Sequence, residues 1–115
     1  MIQSILISVK KQLGIAEEYE NFDEDIILLI NSAFDALHQL GVGPETKFYI
    51  SDKTATWNDF LINGVEVQMA KEFVFLRVRL MFDPPSNSFV ADAMQKRVDE
   101  LIWRMNVDVE TEWNK

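Results

Sequence analysis

Two consecutive prolines, Pro84 and Pro85, interrupt an otherwise continuous helix-patterned apolar run at "LMFDPPSNSF", residues 80–89. Proline fixes its own φ, lacks a backbone N–H and pushes the residue before it out of the helical region. Asp83 and Pro84 each precede a proline, so both are biased towards extended backbone. A helix arriving from the N-terminal side must stop near Phe82, and another can begin near Ser86 or Ser88. The segments on either side are therefore joined by a stiff corner at Asp83, Pro84 and Pro85. An ordinary helix-to-helix turn would read the same way, so the corner by itself points to architecture and not to chemistry.

Both flanking segments have helical periodicity. Val65, Met69, Phe73, Leu76 and Leu80 form one stripe. "LRVRLMF" also alternates as a strand would, but a strand averages ~5–6 residues and this pattern persists much longer. A helix is expected over 65–82. Beyond the corner, Val90, Met94, Val98, Leu101 and Met105 predict a helix over 87–106, with Glu100–Arg104 and Asp92–Lys96 spaced to pair on its outer side. Towards the N-terminus, Ile2, Ile5, Leu6, Val9 and Leu13 predict a helix over 2–13, with Gly14 as a left-handed cap. Asp23, Glu24 and Asp25 suit the first turn of a helix over 23–40, striped by Ile26, Ile30, Ala33, Leu37 and Leu40. "LGVGP" ends it. Between 45 and 64, "KFYI" reads as a short strand, and Thr56 as the N-cap of a two-turn helix closed by Gly64. The alternative there is a hairpin at Asn63-Gly64; the helix is preferred. The four phenylalanines Phe73, Phe75, Phe82 and Phe89 are expected in the core.

The last residues change period. Val107, Val109, Thr111 and Trp113 alternate with Asp108, Glu110 and Glu112. This pattern predicts an extended tail, 107–115, following a helical domain, 1–106. Val107, Val109 and Trp113 would share one side of the strand, with Trp113 a candidate anchor for another chain. Trp103 reads equally well as core or as a subunit contact. The fold class is mostly α: a small helical bundle with two long helices joined at the Asp-Pro-Pro corner, an irregular or short β/3-10 middle segment and an extended C-terminal tail.

At 115 residues and 48% hydrophobic, the chain fits one domain with a packed core. It has no cysteine, which excludes disulfides and thiolate metal sites and suits a reduced, soluble intracellular product. No apolar run approaches the ~20 residues that span a bilayer, so no membrane association is expected. The net charge is −8, with 19 acids against 11 bases, and residues 17–25 hold six acids and no base. Duplex-DNA binders gather Lys and Arg on one face, so direct DNA binding is disfavoured. A surface that DNA slides past remains compatible. His38 is the sole histidine, too few for a two-histidine metal site. Asp23, Glu24 and Asp25 lack the spacing of a calcium loop. There is no glycine-rich phosphate loop and no nucleophile elbow. No catalytic, metal-binding or cofactor-binding residues are expected, and the chain is not expected to be an enzyme.

The order of features is more specific than any of its parts. A short N-terminal helix, an acidic loop and a second helix lead to "TWNDFL". Then come "FVFLRVRLMFDPPSNSF" and a last helix ending "DELIWRMNV". This order resembles the head–tail connector (adaptor, or head-completion) proteins of long-tailed bacteriophages, in the branch found in phages and prophages of Gram-positive bacteria. "RLMFDPP", "SFVADAM" and "ELIWRMNV" carry most of the likeness.

The resemblance implies a small helical subunit of the virion, assembled in the host cytoplasm into a ring, usually of twelve copies. The ring would sit beneath the portal protein, continue the DNA channel without binding DNA specifically, and offer a docking surface to the stopper or tail-completion protein. The corner would then hold the fixed interhelical angle that a repeating ring subunit needs, and the tail would dock on the portal or the adjacent subunit. A small acidic helical regulator, such as an antitoxin-like protein-binding module, accounts for the charge and the apolar helices but not for Asp-Pro-Pro. A helix-turn-helix DNA binder needs a basic recognition helix, whereas the last helix mixes Lys96, Arg97 and Arg104 with Asp92, Asp99 and Glu100.

Overall fold

The computed structural model describes residues 4–44, 46–60 and 67–113. In chain order these contain α1 (Ile5–Gln12), α2 (Asp23–Gln39), α3 (Trp57–Phe60), α4 (Val67–Phe82) and α5 (Ser88–Trp113). The expected mostly α bundle is what forms. The Ser4 side chain caps α1 by accepting a hydrogen bond from Ile7 N–H at 3.2 Å. Gly14 closes it in the left-handed region at φ +78°, as its position predicts. Three acids occupy the first turn of α2. Thr56 and Asp59 cap α3 reciprocally: the Asp59 carboxylate accepts from Thr56 N–H at 2.9 Å, and Asp59 N–H lies 3.4 Å from the Thr56 hydroxyl. Asn63 and Gly64, where a cap or a hairpin was expected, lie outside the described residues, as does Val65.

The expected strand at "KFYI" is absent. The side chain of Asn31 on α2 does what a neighbouring strand would do for Ile50: its amide donates to Ile50 O at 3.0 Å and its oxygen accepts from Ile50 N–H at 2.8 Å. One polar residue thus satisfies both backbone groups of a buried apolar one, and no ladder is needed. Among the described residues the only β-like pairing is an isolated antiparallel bridge, Ser4 to Thr56.

Helix α4 is the axis of the molecule, packing against α1, α2 and α5. Among its described side chains the fully buried ones are Ala70, Phe73, Val74 and Val78. The buried face is thus rotated from the expected stripe, and Leu76 and Leu80 are only half-buried. A helix with neighbours on several sides is apolar over more of its circumference than one stripe, and this broad apolar surface is why its sequence also alternates like a strand. On α2, Phe34 centres an aromatic cluster, 4.6 Å from the Phe60 ring, 5.2 Å from Phe48 and 6.2 Å from Trp57. The Trp57 indole N–H donates to the buried Ser8 hydroxyl at 2.9 Å, so this ring is buried without an orphaned donor.

Two further expectations are corrected. Residues 107–113 are not an extended tail but the last two turns of α5. Val109 follows Met105 by four residues, so it extends the buried stripe as well as it fits an alternating one. It packs onto the core, and its methyl lies 3.2 Å from where a Cβ on Gly41 would stand. Gly41, at φ +82°, has no side chain there, which allows the close approach. A lone strand would leave its backbone groups without partners, whereas continuing the helix satisfies them at once. Phe89 is also not core: it stands 84% exposed in the first turn of α5. It lies on the side of that helix opposite the buried Val98, Leu101 and Met105.

Candidate functional site

The candidate site is a surface: the α4–α5 hairpin, its corner and the outer face of α5. At the corner, Asp83 N–H still donates to Arg79 O at 3.0 Å, while the Arg79 guanidinium reaches forward to the Asp83 carbonyl. Helix α4 is thus closed from both directions just before Pro84. Asn87 then caps α5, its side-chain oxygen accepting from Phe89 N–H at 2.8 Å and Val90 N–H at 3.3 Å. Asp83 and Pro84 are exposed and Pro85 is half-buried. The three are backbone devices that set the reversal.

Further along, a bidentate ion pair locks the two helices. Arg97 Nε lies 2.6 Å and Arg97 Nη2 2.8 Å from the two carboxylate oxygens of Glu72. Arg97 Nη1 also meets Glu100 at 3.1 Å, and Glu100 meets Arg104 at 3.0 Å, the last being one of the two i,i+4 pairs expected from the sequence; the other, Asp92–Lys96, does not form. The hydrogen bonds from Arg97 hold the Glu72 carboxyl below its ordinary range. The Glu72 hydrogen bond in turn holds the guanidinium's proton more tightly still. The hairpin angle is therefore set twice, by the prolines at one end and by this clamp in its middle.

A second polar device positions the acidic loop. Lys10, only 1% exposed, places its ammonium 2.9 Å from Glu17 O, 2.7 Å from Tyr19 O and 2.8 Å from the Asp23 carboxylate. Two of the ammonium's three donors are hydrogen-bonded to these carbonyls, and the Asp23 carboxylate meets it as an ion pair whose near oxygen, Asp23 Oδ1, is buried without a hydrogen bond of its own. Neither Lys10 nor the Glu72–Arg97 pair emerges from the sequence reading. The available signal for Lys10 is that it lies four residues from Leu6, on the apolar face of α1, just before a six-acid stretch that lacks any base.

Of the sequence-predicted contact residues, Trp103 and Val107 come together. They lie one turn apart on α5, 66% and 37% exposed, and with Met69, Arg104 and Asp108 they line a shallow groove. Trp103 is thus a surface residue. Val109 does not join them, because the core takes it. Trp113 ends α5 and its side chain lies outside the described residues. His38 is half-buried in the last turn of α2. Among the described residues no three His, Cys, Asp or Glu side chains converge on a point where a metal ion could sit. None of the described helices is long and apolar enough to cross a membrane.

The family model for phage connector proteins matches residues 5–112, from the first residue of α1 almost to the end of α5. The chain belongs to the phage connector protein family. No curated protein and no solved structure matches it. A connector is a structural component that meets other parts of the virion, and a hairpin with exposed apolar side chains suits such a component. The match takes in the corner, the Glu72–Arg97 clamp and the Trp103–Val107 face together.

Proposed function

We propose that this connector is the head–tail adaptor: copies form a ring beneath the portal, prolong its DNA channel and give the stopper or tail its docking surface. The family match over residues 5–112 carries this reading. Three features support it. A closed ring needs the same interhelical geometry in every copy, and the double fixing of the α4–α5 angle supplies that. It also needs two different patches that meet head to tail, and exposed apolar residues occur on separate elements, with Leu28 on α2 and Trp103 and Val107 on α5. Finally, a net charge of −8 suits a channel wall that must let DNA pass without holding it. Trp103 and Val107 are the residues we assign to contact with the portal or the adjacent subunit. The role requires no turnover and no cofactor.

The test is head completion. Filled heads made without this protein should fail to join tails, and adding the purified chain should restore joining and place a ring of density below the portal in electron micrographs. Replacing Pro84 and Pro85 by Ala should lower ring yield while the monomer still melts cooperatively. Heads that join tails equally well without the protein would refute the adaptor role.

A further inference from the structure

The outer face of α5 is organised beyond the Trp103–Val107 pair. Helix α5 buries Val98, Leu101 and Met105. On the opposite side Phe89, Ala93, Lys96, Glu100, Trp103 and Val107 follow one another at alternating spacings of 4 and 3 residues, and all six are exposed. This is the spacing of a coiled-coil seam. It runs for about 27 Å at 1.5 Å per residue. A seam with Lys and Glu at its centre and Phe, Trp and Val towards its ends is poorly suited to bare solvent. It is well suited to one particular partner.

We propose that two copies of the free chain pair through this seam, antiparallel, about a two-fold axis passing beside Val98. In that register Lys96 falls opposite Glu100 of the second copy, and Glu100, which also meets Arg97 and Arg104 of its own helix, falls opposite its Lys96, so each central charge faces an opposite one. Trp103 falls opposite Ala93, a large side chain against a small one, and Phe89 falls opposite Val107. The ends of the seam bury apolar surface while its centre fixes direction and register, the role polar residues play inside coiled coils. A parallel pairing in register would instead set Lys96 against Lys96 and Glu100 against Glu100. Asp99, which flanks the seam, approaches its own symmetry mate across the axis. This keeps the pairing weak and reversible, with dissociation in the roughly 10–100 µM range of small, partly charged interfaces. The dimer would hide Trp103 and Val107 until a stronger binder displaced the second copy. The inference is independent of the adaptor reading, since it concerns the free chain and is read from mass and not from head completion.

Sedimentation velocity over a concentration series tests it. The full-length protein should pass from monomer to dimer and stop there. Lys96→Glu alone and Glu100→Lys alone each set like charges against each other, and each should weaken dimerisation at least tenfold while circular dichroism stays helical. An equimolar mixture of the two variants should dimerise again, because every introduced charge then meets an opposite one. Trp103→Ala, which changes no charge, should also weaken the dimer. A wild-type chain that stays monomeric at 200 µM (roughly twice the upper end of that range), single charge variants that dimerise normally, or a mixture that stays monomeric would each overturn the proposal. So would assembly beyond the dimer that ignores all three substitutions.

Discussion

Lys10 shows how much a single side chain can organise. Its stem lies in the core and its ammonium gathers two backbone carbonyls of the acidic loop and the Asp23 carboxylate at the start of α2. Burying a charge is costly unless it is paired, and removing one member of a buried pair leaves the other charge uncompensated. Lys10→Ala should therefore destabilise the fold by about 3 kcal/mol, measurable as a lower urea midpoint with an unchanged slope. Lys10→Met, which keeps the stem but not the donors, should recover only part of the loss. An alanine variant as stable as wild type would mean that the three contacts contribute no net stability.

At the scale of elements, the α4–α5 hairpin depends on Glu72 and Arg97 as well as on the prolines. Both side chains are more than a third exposed, so solvent screens the pair, and its main effect is on the angle between the helices. Its pH dependence has a definite sign. The folded state holds the Glu72 carboxyl below its ordinary value of 4.5, so the stabilisation is fully present above that pH and is lost as pH falls through the depressed native value. Glu72→Gln should accordingly lower the urea midpoint at pH 7, and the gap to wild type should close as the pH is taken below 4.5 towards 3. A gap that persists unchanged at pH 3 would point to lost packing and not to a lost ion pair.

For the whole molecule, charge decides which macromolecules it can meet. The exposed acids Glu17, Glu18, Glu20, Glu24 and Asp25 lie on one loop and helix start, and Lys10 beside them is buried and already paired. On α5, Arg97 and Arg104 are engaged by Glu72 and Glu100, which leaves Lys96 as a single exposed base and not a basic strip. Fluorescence anisotropy should show no saturable binding of duplex DNA at physiological salt, and the purified chain should cleave neither DNA nor ester substrates. Tight DNA binding with a steep salt dependence would remove the rationale for an acidic channel wall.

The bundle was legible in the sequence wherever a helix has one buried side. The stripes of α1 from Ile5 (Ile2 lies outside the described residues), of α2, and of α5 from Met94 to Met105, the Gly14 cap and the Asp-Pro-Pro stop could all be read, because local sterics and 3.6-residue periodicity act within a few residues of chain. Val90, expected on the α5 stripe, is exposed. The Thr56 cap was legible for the same reason. What failed involved residues whose surroundings come from distant parts of the chain. The alternation of Val107, Val109 and Trp113 suits a strand or a helix, and only the space above Gly41, some seventy positions earlier, selects the helix. Asn31 replacing a strand for Ile50, Phe89 left in solvent and Trp57 bonded to Ser8 are likewise set by which elements meet. The candidate surface divides in the same way. Its corner was visible in Asp83, Pro84 and Pro85, because prolines act on their own backbone. The Glu72–Arg97 clamp and the separation of Val109 from Trp103 and Val107 were not, because a charge or a methyl group carries no record in the sequence of which helix it will face.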